Sequence, residues 1–199
     1  MTGTPARERI LETAAELFYR DGYGAVGVDT IIARAGVAKT TLYRHFPSKD
    51  ELIVAYLQRA DERFWAWFED AIAGHRQPRA KLIALFEAVA DLVASPACLG
   101  CTFQGASSEF PSQAHPGHRV ALEHKQAVLE RLADLGREAR AKDPDRLARE
   151  LLLVMDGAWA AARMFGSRSP AAAAPQAAAA LLDAHLAPSS ARGHAHTGP

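Results

Sequence analysis

The chain has 199 residues, with 23 basic and 23 acidic side chains, so any hold on a polyanion must come from a local patch and not from overall charge. Apolar residues make up 49% and charged residues 23%, with no run of eighteen apolar residues and no signal-peptide pattern. This balance reads as a soluble, cytoplasmic protein, and two cysteines exclude a disulfide scaffold.

Thr4 followed by Pro5 predicts a helix start, with Ile10, Leu11, Ala14, Leu17 and Phe18 forming one apolar face until Asp21 and Gly22 end it. Gly27 then stands as the cap of a second helix, in which Val28, Ile31 and Ile32 share a buried side. Gly36 breaks that pattern. A third short run sets Leu42 and Phe46 four residues apart, while Thr40, Thr41, Tyr43, Arg44 and His45 can point outward. Residues 30–49 contain no acid, and their bases are Arg34, Lys39, Arg44 and Lys49. Two short helices joined by a glycine turn, in a locally basic stretch, predict a helix-turn-helix that inserts its second helix into the DNA major groove.

Residues 35–52, and above all Leu42-Tyr43-x-His45-Phe46 followed by Ser48-Lys49, resemble the DNA-binding domain of the TetR family of bacterial transcriptional regulators. The match runs from about Arg7 to about Tyr56. Gly100-Cys101-x-Phe103, Glu109-Phe110-Pro111, His124-Lys125 and Asp156-Gly157-Ala158 resemble the second domain of one subgroup of that family. The resemblance implies an all-α chain of about nine helices. It has a three-helix DNA-binding domain over residues 1–50, an effector-binding and dimerisation domain over 51–187, and a disordered tail over 188–199.

Ser48, with Glu51 three residues on, predicts a capping box for a fourth helix reaching about Ala73, ended by Gly74 and Pro78. A further amphipathic helix spans residues 79–94, and one short helix is expected near residues 102–108 in an otherwise broken segment. Longer helices follow over about 118–141 and from Asp143-Pro144. The second of these is apolar over so much of its circumference that it should be buried on more than one side. Residues 166–174 read as a linker, with a last helix from Pro175, since proline is costly inside a helix.

In the recognition helix Arg44 can pair with guanine O6 and N7, with Lys39 and Thr40 next in line for base edges. The resemblance assigns Thr30, Thr41, Tyr43, His45 and Lys49 to phosphates or sugars. It also implies that the helices bearing Trp65, Phe68, Phe86, Phe103, Met155 and Trp159 enclose a cavity for a small-molecule effector, although their spacing alone fits core packing equally well. Glu109 and Asp156 read as solvated carboxylates or, less simply, as anchors for a polar effector group. The implied homodimer pairs the last two long helices with their counterparts through Leu151, Met155, Ala158, Ala162 and Leu182, with Ala161 nearby.

Cys98-Leu-Gly-Cys101, with His115, His118 and His124 downstream, admits three readings: packing, a thiol switch or a metal-responsive site. A single CxxC is a weak signal, and packing is the simplest of the three. No metal or cofactor is expected. No phosphate loop, nucleophile elbow or zinc-protease motif is present, which argues against an enzyme. The sequence thus points to a regulator of operator DNA, with repression relieved by an effector.

Overall fold

The computed structural model describes residues 5–186, which contain nine α-helices and no strand. Helix α1 (Ala6–Asp21) begins after Pro5, which serves as its cap and not as its first helical residue; Thr4 lies outside the described residues. Gly22 ends α1 at φ 87°, ψ 165°, a conformation essentially reserved for glycine. Helices α2 (Val28–Ala35) and α3 (Lys39–His45) follow, joined through Gly36 at φ 62°. Gly27 caps α2 through its extended backbone alone.

Ser48 caps α4 (Lys49–Ala73), its Oγ accepting from the Glu51 N–H at 3.1 Å, the serine's half of the expected box. The head's apolar core does not stop at residue 50. It includes Leu52, Ile53, Tyr56 and Leu57 from the first turns of α4, and it continues to Phe103, Ala106 and Ala121. Three short helices cannot close a core alone, so α4 supplies the floor and the later helices a side wall.

The second core gathers α5 (Pro78–Ala94), the middle of α7 (Pro116–Glu138), α8 (Pro144–Phe165) and α9 (Ala174–His185) around Phe68, Phe86, Leu132 and Leu151. Helix α6 (Thr102–Glu109) packs into the first core through Phe103 and Ala106, and Cys101 just before it touches both cores. Helix α7 starts two residues earlier than expected because Pro116 suits a first helical position and the His115 ring accepts from the Gly117 N–H at 3.1 Å. Asp143 caps α8 by accepting from the Arg146 N–H at 2.9 Å. The expected linker is instead two 3₁₀ turns, Gly166–Arg168 and Pro170–Ala173, in which Ala171 is buried against the core. The tail expected over 188–199 lies outside the described residues.

Candidate DNA interface and ligand cavity

Leu42 is fully buried, so residues two positions to either side of it project away from the core, at about 200° around a helix of 3.6 residues per turn. Those residues are Thr40 and Arg44, and both are exposed. Lys39, Tyr43 and Thr30 are also exposed, while Thr41, His45 and Lys49 are half-buried on the flanks. Tyr43, Arg44 and Lys49 have no hydrogen-bond or ion-pair partner among the described residues. Lys39 Nζ reaches Asp29 at 3.3 Å, an exposed pair of little worth that a phosphate can displace. The eight expected DNA residues thus lie on α2, α3 and the first turn of α4, none of them buried.

The α1–α2 turn behind this face is held by residues whose roles sequence reasoning missed. Glu109, at the end of α6, accepts from the N–H of Tyr23 at 3.0 Å and of Gly24 at 2.6 Å. The Tyr23 hydroxyl donates to the Thr102 carbonyl at 3.0 Å, and the Tyr56 and Thr102 hydroxyls pair at 2.7 Å. Tyr19 accepts from the Leu99 N–H at 2.7 Å and donates to the Gly100 carbonyl at 3.2 Å. Burial pushes its phenol up to about 12, so it stays a neutral donor. Glu109 is therefore a turn clamp, although its side chain stays exposed as expected.

A cavity of about 380 Å³ lies beyond the other end of α6. Its walls are Phe64 and Trp67 of α4, Leu92 of α5, Phe103 of α6, His124 and Lys125 of α7, and Trp159 of α8, with Cys98 and Cys101 on the connecting loop. Of the six expected effector residues, Phe103 and Trp159 line it. Phe68, Phe86 and Met155 are closed inside the second core and Trp65 packs against that core, so none of these four walls the cavity. A second cavity of about 460 Å³ shares Tyr19, Gly100, Cys101, Thr102 and Trp159 with the first and runs to Tyr23 and Glu109.

His124 is buried, stacked on Phe103 with centroids 3.5 Å apart, and its Nδ1 lies 2.6 Å from Asp61 Oδ1. Burial holds its pKa below the usual histidine value despite the opposing pull of Asp61. The ring is then neutral at pH 7, with its proton on Nδ1 toward Asp61. Lys125 is ion-paired with Asp156, so that half-buried carboxylate is also partnered. The Gln104 amide donates to the Asp156 carbonyl at 3.2 Å, and Arg163 donates to the Leu99 carbonyl at 2.7 Å. Burial raises the Cys101 thiol above its ordinary value, which disfavours the thiolate. Among the described residues no group of three His, Cys, Asp or Glu is placed to hold a metal ion.

The expected dimer residues are placed differently. Leu151, Met155, Ala158, Ala162 and Leu182 are each at most 4% exposed in the single protomer, because their stripe of α8 and α9 faces its own core. They have no surface left to offer a second copy. The opposite stripe of α8 is the open one, with Leu153 73% and Met164 78% exposed and Gly157 and Ala160 between them.

An all-helical protein with this head and a cavity-bearing helical second domain is a helix-turn-helix transcriptional regulator. Residues 10–56 match the model of the bacterial regulatory proteins of the tetR family. The fold is similar to a TetR-family transcriptional regulator from Streptomyces coelicolor at TM-score 0.87 and 35% identity, covering 92% of this chain and 96% of that one. A TetR regulator from Streptomyces avermitilis is similar at TM-score 0.82 and 37% identity, covering 92% and 98%. The HTH-type transcriptional regulator YjdC of Escherichia coli is 25% identical over 166 residues, 83% of this chain and 86% of that protein. The chain belongs to the TetR family and is a DNA-binding transcriptional regulator.

Proposed function

We propose that the chain acts in the cytoplasm as a homodimeric repressor of a near-palindromic operator and is released by a small molecule bound in the 380 Å³ cavity. The observation that carries this reading is the two-ended contact of α6. Its first turn supplies Thr102 and Phe103 to the cavity wall, and its last residue, Glu109, clamps the turn between α1 and α2. A ligand that shifts α6 changes the pose of the reading head. Only a ligand that binds the two poses with different affinity can do this, and DNA must weaken ligand binding by the same factor.

The dimer follows from the open apolar stripe of Leu153, Gly157, Ala160 and Met164, flanked by Phe165, which is too large a run of apolar surface to leave in water. A two-fold axis then presents two recognition helices to two half-sites. Within each half-site Arg44 reads a base, Lys39 and Thr40 approach base edges, and Thr30, Thr41, Tyr43, His45 and Lys49 hold the backbone. The redox alternative through Cys98 and Cys101 gains nothing from a thiol whose thiolate form burial disfavours. The test is selection of bound DNA by the purified protein, followed by titration with candidate effectors. Recovery of no preferred palindrome would overturn the proposal.

A further inference from the structure

We infer that the 380 Å³ cavity is built for a small aromatic acid, an inference that rests on the reading of this cavity as the effector site. Its volume stands at the small end of ligand pockets, which span about 300–1,000 Å³, and suits one or two fused rings. Its walls supply ring faces and edges from Phe64, Trp67, Phe103 and Trp159, the surroundings in which a flat apolar body gains most. The charged groups on the wall are Arg63 and Lys125, and no Asp or Glu among the described residues lines it. In a chain of zero net charge that asymmetry is local.

The carboxylates beside His124 and Lys125 are already engaged and set back from the wall, and Glu12 and Glu16 near Arg63 line a separate hollow. Asp61 accepts from His124 and opens on the far side of that ring, into a groove with Glu62 and Glu123. Asp156 takes one of the three donors of the Lys125 ammonium, which leaves donors for a ligand. The Arg63 guanidinium at the exposed mouth has no ion-pair partner among the described residues. A carboxylate between Lys125 and Arg63, with its ring against the aromatic wall, satisfies both cations in a partly dry site where charge-assisted bonds are strong. A cationic ligand meets two like charges there, and a neutral one offers no charge to either cation.

The test uses three probes of one shape and different charge: 2-naphthoate, 2-naphthamide and 2-naphthylmethylammonium, with benzoate and benzamide as the smaller pair. Calorimetry on the full-length protein should give at least tenfold tighter binding of an acid than of its amide, and no binding of the ammonium. Lys125→Gln, which keeps a donor for Asp156, should remove most of that preference, and Arg63→Gln should reduce it several-fold; both should leave amide binding within twofold. Arg63 is exposed, so its variant keeps the test decisive if Lys125→Gln fails to fold. Equal affinity for acid and amide, tighter binding of the ammonium, an acid preference that survives in the folded variants, or no measurable binding of either acid overturns the inference. DNA release is read separately. An acid that binds with the stated preference yet leaves DNA affinity unchanged upholds the ligand class and overturns the effector reading.

Discussion

Gly22→Ala is the sharpest probe of the contact between α6 and the reading head. The glycine sits at φ 87°, ψ 165°, where an L-residue is strained by about 1–3 kcal/mol. A Cβ at this position would also lie 2.8 Å from Glu109 Oε1, so the carboxylate must swing away. That movement strains the bonds to the Tyr23 and Gly24 N–H groups, whose complete loss would cost about 1–2 kcal/mol once their partial exposure is allowed for. The substitution should therefore cost up to about 5 kcal/mol, a large share of the roughly 5–15 kcal/mol that holds a typical domain. A thermal melt should fall by on the order of 10 °C.

A double-mutant cycle separates the two contributions. Glu109→Ala loses only the hydrogen bonds, whereas Gly22→Ala strains them and adds backbone strain. The double variant should then cost less than the sum of the two single changes, giving a coupling of up to about 1–2 kcal/mol. Strictly additive costs would mean that the carboxylate does not clamp the turn. Operator titration on the same proteins reads the functional side: Glu109→Ala should shrink the factor by which an effector weakens DNA binding. An unchanged factor would remove α6 from the route between cavity and head.

Arg44→Ala should weaken operator binding by about 1–3 kcal/mol and relax preference at one position per half-site, whereas Lys49→Ala should weaken all sequences alike and flatten the salt dependence, both measurable by fluorescence anisotropy. Leu153→Glu, on the open stripe of α8, should give a monomer by light scattering with its helicity retained; a charge at Ala158, which is buried in the protomer core, should instead unfold the chain. The pKa of His124 is depressed by burial, so the stability it contributes is complete above its unfolded value of about 6.5 and is lost as pH falls through the lower folded value. Denaturant melts from pH 7.5 down to 5 should show that loss in the parent and a smaller one in His124→Asn. Cys98→Ser should keep both DNA binding and effector release, and loss of release in a folded variant would revive the thiol switch.

The reading head was legible because its elements are short, punctuated by Gly22, Gly36 and Ser48, and each is pinned by one or two apolar residues such as Leu42 and Phe46. In a helix this short, finding the buried residue also identifies its outward neighbours, and so Thr40 and Arg44 follow from Leu42. Helix α8 offers no such shortcut. Both of its faces are apolar, and periodicity cannot tell which stripe meets the protomer's own core and which a second copy. Leu151, Met155, Ala158 and Ala162 form one stripe, and Leu153, Gly157, Ala160 and Met164 the other. Only the packing against α5, α7 and α9 shows that the first stripe faces the protomer's own core. The cavity was harder still to see, since a cavity is space that side chains leave unfilled and no single residue encodes it. Phe68 and Phe86 have the same aromatic character as Phe64 and Phe103, yet the first two are closed into the second core while Phe64 and Phe103 border the cavity. The subgroup residues Gly100, Phe103, Glu109, His124, Lys125 and Asp156 are scattered along the sequence and share no helical face, so spacing alone could not bring them together. In the fold they gather around the two ends of α6, one end at the cavity and the other at the head.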